Sequence, residues 1–178
     1  ESWPEASGPV KISTTIVLEE GETLHGDLVR YYYGIGDGSQ DEGQDAMFRL
    51  EDGATLRNVI FGAPAGDDIH CHGSCLLENV WWEDVGKGAG TSKESTTGTT
   101  MTISGGGARN ASDKIFNHNS ACTMHGGGEK LQKALRLTAL ASLFGQANPA
   151  AHSMYQRKVV VENCRLRDGS VIVGVKTN

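Results

Sequence analysis

The sequence contains no apolar run long enough to span a bilayer and no block of lysine and arginine. The first absence argues against a membrane partner held by a spanning helix. The second, with a formal net charge of -6, argues against nucleic acid or an anionic membrane surface, because both are held chiefly by counter-charge. A polyanionic substrate stays compatible, since a few cations in one cleft can coexist with an acidic surface. The segment Glu1-Ser2-Trp3-Pro4 lacks a basic stretch followed by an apolar one, so any secretory leader is expected to have been removed. Cysteine is scarce. The four, Cys71, Cys75, Cys122 and Cys164, are an even number that permits up to two disulfides in an oxidising compartment and leaves their pairing open.

Proline is scarce as well, at 4 residues, whereas glycine reaches 24 of 178, well above the roughly 7% that is usual. The length suits one ordinary domain. The glycines fall between short β-branched or alternating runs, which describes a chain that turns often. Such runs are 11–18, 55–61, 76–81, 100–104 and 157–163, each of strand length.

Two of the runs share a phrase. Leu56-Arg57-Asn58-Val59 and Leu77-Glu78-Asn79-Val80 are offset by 21 residues, and Val161-Glu162-Asn163-Cys164 lies four such periods beyond the second. A period in the low twenties suits the coils of a parallel β-helix, where each turn adds a few short strands joined by tight corners. The recurrent asparagine is then expected at an equivalent corner on successive coils, in the left-handed conformation and hydrogen-bonded along the stack. A β-sandwich is the competing fold. One segment departs from the pattern: residues 129–144, EKLQKALRLTALASLF, hold good helix formers without glycine or proline, and they predict an amphipathic helix on or beside the solenoid.

Candidate chemistry begins with two acidic pairs, Asp67-Asp68 and Glu83-Asp84, about one coil apart. Stacked on one side of a solenoid, they would offer oxygen ligands to a hard cation. Lys93, Lys114, Lys130, Lys133 and Arg136 are spaced so that several could line one cleft. A lysine near other cations and a metal has a depressed pKa and can act as a base, and arginine binds carboxylates bidentately. His70 and His72 flank Cys71, but alternate residues of a strand share a face, which separates Cys71 from both histidines and favours a core or ladder role over zinc binding. Gly105-Gly106-Gly107-Ala108 lacks the spacing of a phosphate-binding loop and is read as a corner.

The phrases Gly36-Asp37-Gly38-Ser39-Gln40, Phe48-Arg49-Leu50-Glu51-Asp52-Gly53-Ala54, Ile69-His70-Cys71, Trp81-Trp82-Glu83-Asp84-Val85-Gly86, Gly105-Gly106-Gly107-Ala108 and Asp113-Lys114-Ile115-Phe116 occur in order along the chain. In that order the chain resembles the short bacterial and fungal pectate lyases of polysaccharide lyase family three, from about Gly36 to Asn119 and again from Arg157 to Asn178. The resemblance implies an all-β, single-domain, right-handed parallel β-helix that is secreted and extracellular and acts as a monomer. It implies Ca2+-assisted β-elimination of de-esterified polygalacturonate (pectin), in which cations bind the uronate carboxylate, a base removes the C5 proton and the 4-O-glycosidic bond breaks.

Position by position, Asp67 resembles the family's calcium-binding aspartate, and Lys93 and Lys114 resemble substrate-cleft lysines. The catalytic candidates are Lys114, Lys130, Lys133 and Arg136, since Glu129-Lys130-Leu131-Gln132-Lys133 is the nearest reading of the family's Gly-Lys-Leu-x-Arg phrase. After Trp-Trp-Glu-Asp-Val-Gly the family continues Glu-Asp-Ala, whereas this chain has Lys87-Gly88-Ala89. Two metal carboxylates are thereby lost, and Asp68, Glu83 or Asp84 is expected to substitute. Asp68 itself stands where the family has glycine. A non-catalytic pectin-binding β-helix derived from such a lyase is the alternative. The family also continues for a further strand or two beyond the position of Asn178.

Overall fold

A computed structural model describes residues 3–33, 45–64, 67–85, 88–93, 98–111, 115–118, 123–126, 135–139, 144–145, 158–161 and 164–167. Among them the chain forms β1 (Gly8–Ile12), β2 (Ile16–Leu18), β3 (Thr23–Tyr33), β4 (Ala46–Glu51), β5 (Ala54–Gly62), β6 (Asp67–His72), β7 (Cys75–Trp82) and β8 (Gly90–Ser92). It continues with β9 (Thr100–Ala111), β10 (Phe116–His118), β11 (Thr123–Gly126), β12 (Leu135–Ala139), β13 (Phe144–Gly145), β14 (Lys158–Val161) and β15 (Cys164–Arg167). Strands β1, β3, β5, β7, β9, β11 and β14 lie side by side in chain order in one sheet, which β12 and β15 join through β9, and strands β2, β4, β6, β8, β10 and β13 form another. Every pairing is parallel. From β1 to β11 successive strands alternate between the sheets while each hydrogen-bonds to its counterpart one coil away, so the chain is a parallel β-solenoid.

The long strands bend within themselves. The first part of β9 pairs with β11 and its last part with β12, which in turn pairs with β15. The nine-stranded sheet that contains β9 therefore comprises two faces hinged along a line. On that line lie Asn58 and Asn79, both at φ 54°, and Gly105 and Gly106 at φ 64° and 85°. Left-handed backbone is tolerated by asparagine, whose short amide bonds locally, and by glycine. A Cβ on Gly106 would fall onto the Val80 backbone, so the coil above can approach only glycine.

The hinge asparagines also hold one another. Asn79 Nδ2 donates to Asn58 Oδ1 at 2.7 Å, and Trp81 Nε1 donates to Asn79 Oδ1 at 2.9 Å. The offset of 21 residues in the sequence is this stack. The third repeat, at Asn163, lies outside the described residues. Asn79→Ala removes both bonds and leaves an alanine in left-handed backbone. It is expected to cost about 1–3 kcal/mol, read as a lower urea midpoint with an unchanged slope.

Inside the coils, like residues stack on like. Leu24, Leu56, Leu77 and Ile103 form one register row. Tyr31, Phe48, Phe61, Trp82 and Phe116 form an aromatic column with successive centroid separations of 5.2, 5.6, 5.9 and 5.6 Å. Phe48, Phe61, Trp82 and Phe116 are fully buried. Each such side chain withdrawn from water contributes about 1.5–3 kcal/mol.

Two expectations are corrected. The segment expected to be helical contains strands β12 and β13, which pair with β9 and β10; residues 129–134 and 140–143 lie outside the described residues. Leu135-Arg136-Leu137-Thr138-Ala139 alternates apolar and polar residues as well as it follows a helical period, and the open edge of β9 satisfies its backbone, so tertiary pairing overrides propensity. The run at 11–18 is also two strands in different sheets. The chain turns at Ser13-Thr14-Thr15, where the Thr15 hydroxyl donates to the Ala46 carbonyl at 2.7 Å.

Candidate active site

Asp67 and Asp68 open β6 at the corner leading from β5. In register, Asp67 lies beside Ala46 on one coil and forms a bridge with Gly88 on the next. Asp68 N–H donates to the Gly88 carbonyl at 3.2 Å, and Ala89 N–H donates to the Ile115 carbonyl at 2.8 Å. This row across the coils runs Met47, Asp68, Ala89, Ile115, and all four are buried to 1% exposure or less. A carboxylate is thus set among apolar neighbours. Among the described residues neither Asp68 oxygen has a hydrogen-bond partner. Burial first, then the charges of Asp67 and Asp84, push its carboxyl well above the ordinary carboxylate range. Asp67 is better served, with its Oδ2 at 3.3 Å from His70 Nε2.

Glu83 follows β7 and turns its carboxylate the other way. Its Oε1 lies 2.7 Å from Arg30 Nη2 and 3.9 Å from Arg109 Nη2. Its backbone is equally held: Glu83 N–H donates to the Phe61 carbonyl at 2.9 Å, and Asn110 Nδ2 donates to the Glu83 carbonyl at 2.9 Å. Asp84 comes next, half-buried and close enough to Asp68 to perturb it.

Lys93 is exposed and directly follows β8, where its N–H donates to the Cys71 carbonyl at 2.8 Å. Gly88 pairs with Asp67, and Lys93 is five residues further on, so the two lie roughly 16 Å apart along the strand direction. Between them the outer face of the sheet that contains β6 carries the register row Arg49, His70, Thr91, Asn117. Lys114, Lys130, Lys133 and Lys87 lie outside the described residues. Arg136 is placed by its strand, beside Gly107 of β9, while its side chain lies outside the described part.

Cys71 is disulfide-bonded to Cys75 across the turn between β6 and β7. Its sulfur is therefore not a free thiolate, and the His70-Cys71-His72 phrase offers no zinc site. Among the described residues no three histidine, cysteine or acidic side chains converge as a metal cluster. The donor chemistry nevertheless suits a hard cation, because Asp68 presents two buried oxygens that no described residue satisfies, next to Asp67 and Asp84.

Along its full length, residues 1–178, the chain matches the family model described as pectate lyase. The chain belongs to the pectate lyase family. Pectate lyase E of Emericella nidulans is 37% identical over 177 residues, covering 98% of this chain and 66% of the relative. The probable pectate lyase F of Aspergillus terreus is 37% identical over 181 residues, covering 98% and 73%. The crystal structure of the pectate lyase PelI from Erwinia chrysanthemi in complex with tetragalacturonic acid superposes with a TM-score of 0.68 at 28% identity, covering 90% of this chain and 48% of that one. The catalytic domain of PelI gives a TM-score of 0.64 at 26% identity, covering 93% and 69%. The chain spans about two thirds of the length of the first curated relatives, from 64% to 67%. The pectate lyase fold thus agrees with the solenoid derived from strand pairing.

The cluster of Arg30, Glu83 and Arg109 was not visible in the sequence. Its members are separated by 53 and 26 residues, and only the coil register brings them together.

Proposed function

We propose that the chain is a secreted pectate lyase that cleaves de-esterified polygalacturonate by calcium-assisted β-elimination, leaving unsaturated oligogalacturonides. The observation that carries this reading is the buried, unpartnered Asp68 carboxylate beside Asp67, in a chain that matches the family throughout. Asp67, Asp68 and Asp84 are the residues that would hold Ca2+; Glu83 is left out because two arginines engage it. The bound ion would supply positive charge to the uronate carboxylate and so acidify the adjacent C5 proton.

The remaining work belongs to the protein. Lys93 binds the polymer at the far end of the outer face, which a chain of several sugars can span from Asp67. Lys114, Lys130, Lys133 and Arg136 are the proposed source of the base and of further carboxylate contacts. Elimination needs no attacking water, so a pair of carboxylates arranged for hydrolysis is not required. The Cys71–Cys75 disulfide supports an extracellular location. No helix of the described residues is long and apolar enough to cross a membrane. The protein is proposed to act as a monomer, with polygalacturonate as its partner and neither nucleic acid nor membrane.

A second reading, a pectin-binding solenoid without activity, is favoured by one observation: Lys87-Gly88-Ala89 stands where the family has two acidic residues. Mass spectrometry of polygalacturonate after incubation separates the two. Fragments lighter by one water than hydrolysis products are expected. Intact polymer that nevertheless co-sediments with the protein would establish the second reading instead.

A further inference from the structure

The segment ahead of β1 has a task of its own. Ser7 N–H donates to the Leu28 carbonyl at 3.0 Å, and Gly8 and Pro9 pair beside Val29 and Arg30 of β3. Four residues earlier, the Trp3 ring meets Trp81 of β7 edge-on, with centroids 4.9 Å apart, and the Arg109 guanidinium of β9 lies 4.2 Å from the Trp3 ring centroid. Ser7 continues the line of β1, and from β1 to β7, which carries Trp81, is three strand spacings, about 14 Å. The four residue steps from Ser7 to Trp3 reach about 13 Å when extended. The segment therefore crosses the outer face nearly taut. It stands off that face, leaving a cavity of about 450 Å³ bordered by Trp3, Pro4, Pro9, Arg30 and Glu83.

What the far end grips is the support of the acidic turn. Arg109 packs on Trp3 with its guanidinium, approaches Glu83, and accepts the Val85 N–H on its backbone carbonyl at 3.3 Å. Arg30, which borders the same cavity, holds Glu83 from the other side. Asp84 sits between the two anchored residues, Glu83 and Val85. Aromatic pairs and cation–π contacts of this kind are weak singly but directional, which suits them to fixing a turn.

We propose that residues 3–7 form a strap that fixes the 83–85 turn through Trp3, Arg109 and Glu83, and thereby places Asp84 beside Asp67 and Asp68. Its effect on cation binding rests on the reading of those three carboxylates as the calcium site. Trp3, Arg30, Arg109 and Glu83 are positioning residues in this scheme.

Hydrogen exchange on the full chain tests the strap, and calcium titration calorimetry on the same samples tests the site. In Trp3→Ala the Glu83 and Val85 amides are expected to exchange at least tenfold faster, with the interior amides of β5 and β7 unchanged. Calcium binding should weaken by about tenfold. Trp3→Phe should restore both. Glu83→Gln, which keeps the shape and removes the charge between the arginines, should reproduce the local loosening, and it serves as the test if Trp3→Ala does not fold. Unchanged exchange at 83–85, or acceleration spread evenly over all strands, would overturn the strap. Local loosening with undiminished calcium affinity would overturn its link to the site. If the unaltered chain binds no calcium while Trp3→Ala still loosens the turn, the strap stands and the calcium reading fails.

Discussion

Asp68→Asn is expected to stabilise the calcium-free protein at neutral and alkaline pH by about 1–3 kcal/mol, while lowering calcium affinity about a hundredfold. Both effects have one origin, a carboxylate fully buried in the Met47, Ala89, Ile115 row with no hydrogen-bond partner among the described residues. In the unfolded chain Asp68 titrates near its ordinary value of 3.8, and burial with Asp67 and Asp84 raises it well above that in the folded state. Below that ordinary value the group is protonated in both states and imposes no penalty. As pH rises, the unfolded chain releases the proton while the folded chain retains it, so stability declines until the folded carboxyl also ionises. Thermal unfolding in chelator should therefore show a midpoint that falls with increasing pH in the native sequence and falls less in Asp68→Asn. Calcium should flatten the native profile, because the cation takes the proton's place. Identical pH profiles for the two proteins in chelator would mean that Asp68 carries no buried charge.

Trp82→Ala is the largest packing loss expected, at about 3–5 kcal/mol. Trp82 is fully buried, stacks on Phe61 with planes 8° apart and meets Phe116 edge-on. Its removal leaves a gap in the aromatic column that joins three coils, and neighbours locked in parallel register cannot close it. Its Nε1 has no hydrogen-bond partner among the described residues. Trp82→Phe should accordingly recover most of the lost stability, since it restores a ring and removes an unsatisfied donor. Urea unfolding measures both. A Trp82→Phe protein as unstable as Trp82→Ala would show that the indole nitrogen has a partner and that ring stacking is secondary.

The solenoid was legible in the sequence because its repeat is chemical as well as numerical. Asn58 and Asn79 must each adopt left-handed backbone and bond along the stack, so the same residue recurs after one coil. Glycine takes over at Gly105 and Gly106, and the repeat fades to the eye although the hinge continues. Residues 135–139 were misread because their composition favours a helix in isolation, whereas the decisive partner is the edge of β9. Asp67 and Asp68 could be singled out as an acidic pair at a turn. Their unequal fates, one facing His70 and one unpartnered among apolar side chains, depend on the coils above and below. The spacing of about one coil groups Glu83 with them, yet its carboxylate lies with Arg30 and Arg109, residues that only the register brings near.

The most direct test of the account is the rate at which ultraviolet-absorbing unsaturated product appears from polygalacturonate, followed across a calcium titration and then after excess chelator. The account predicts a rate that rises with calcium, saturates and collapses on chelation. Product formation that ignores both calcium and chelator would contradict the assignment of Asp67, Asp68 and Asp84 as an ion site, and no product at any calcium concentration would contradict the assignment of lyase activity.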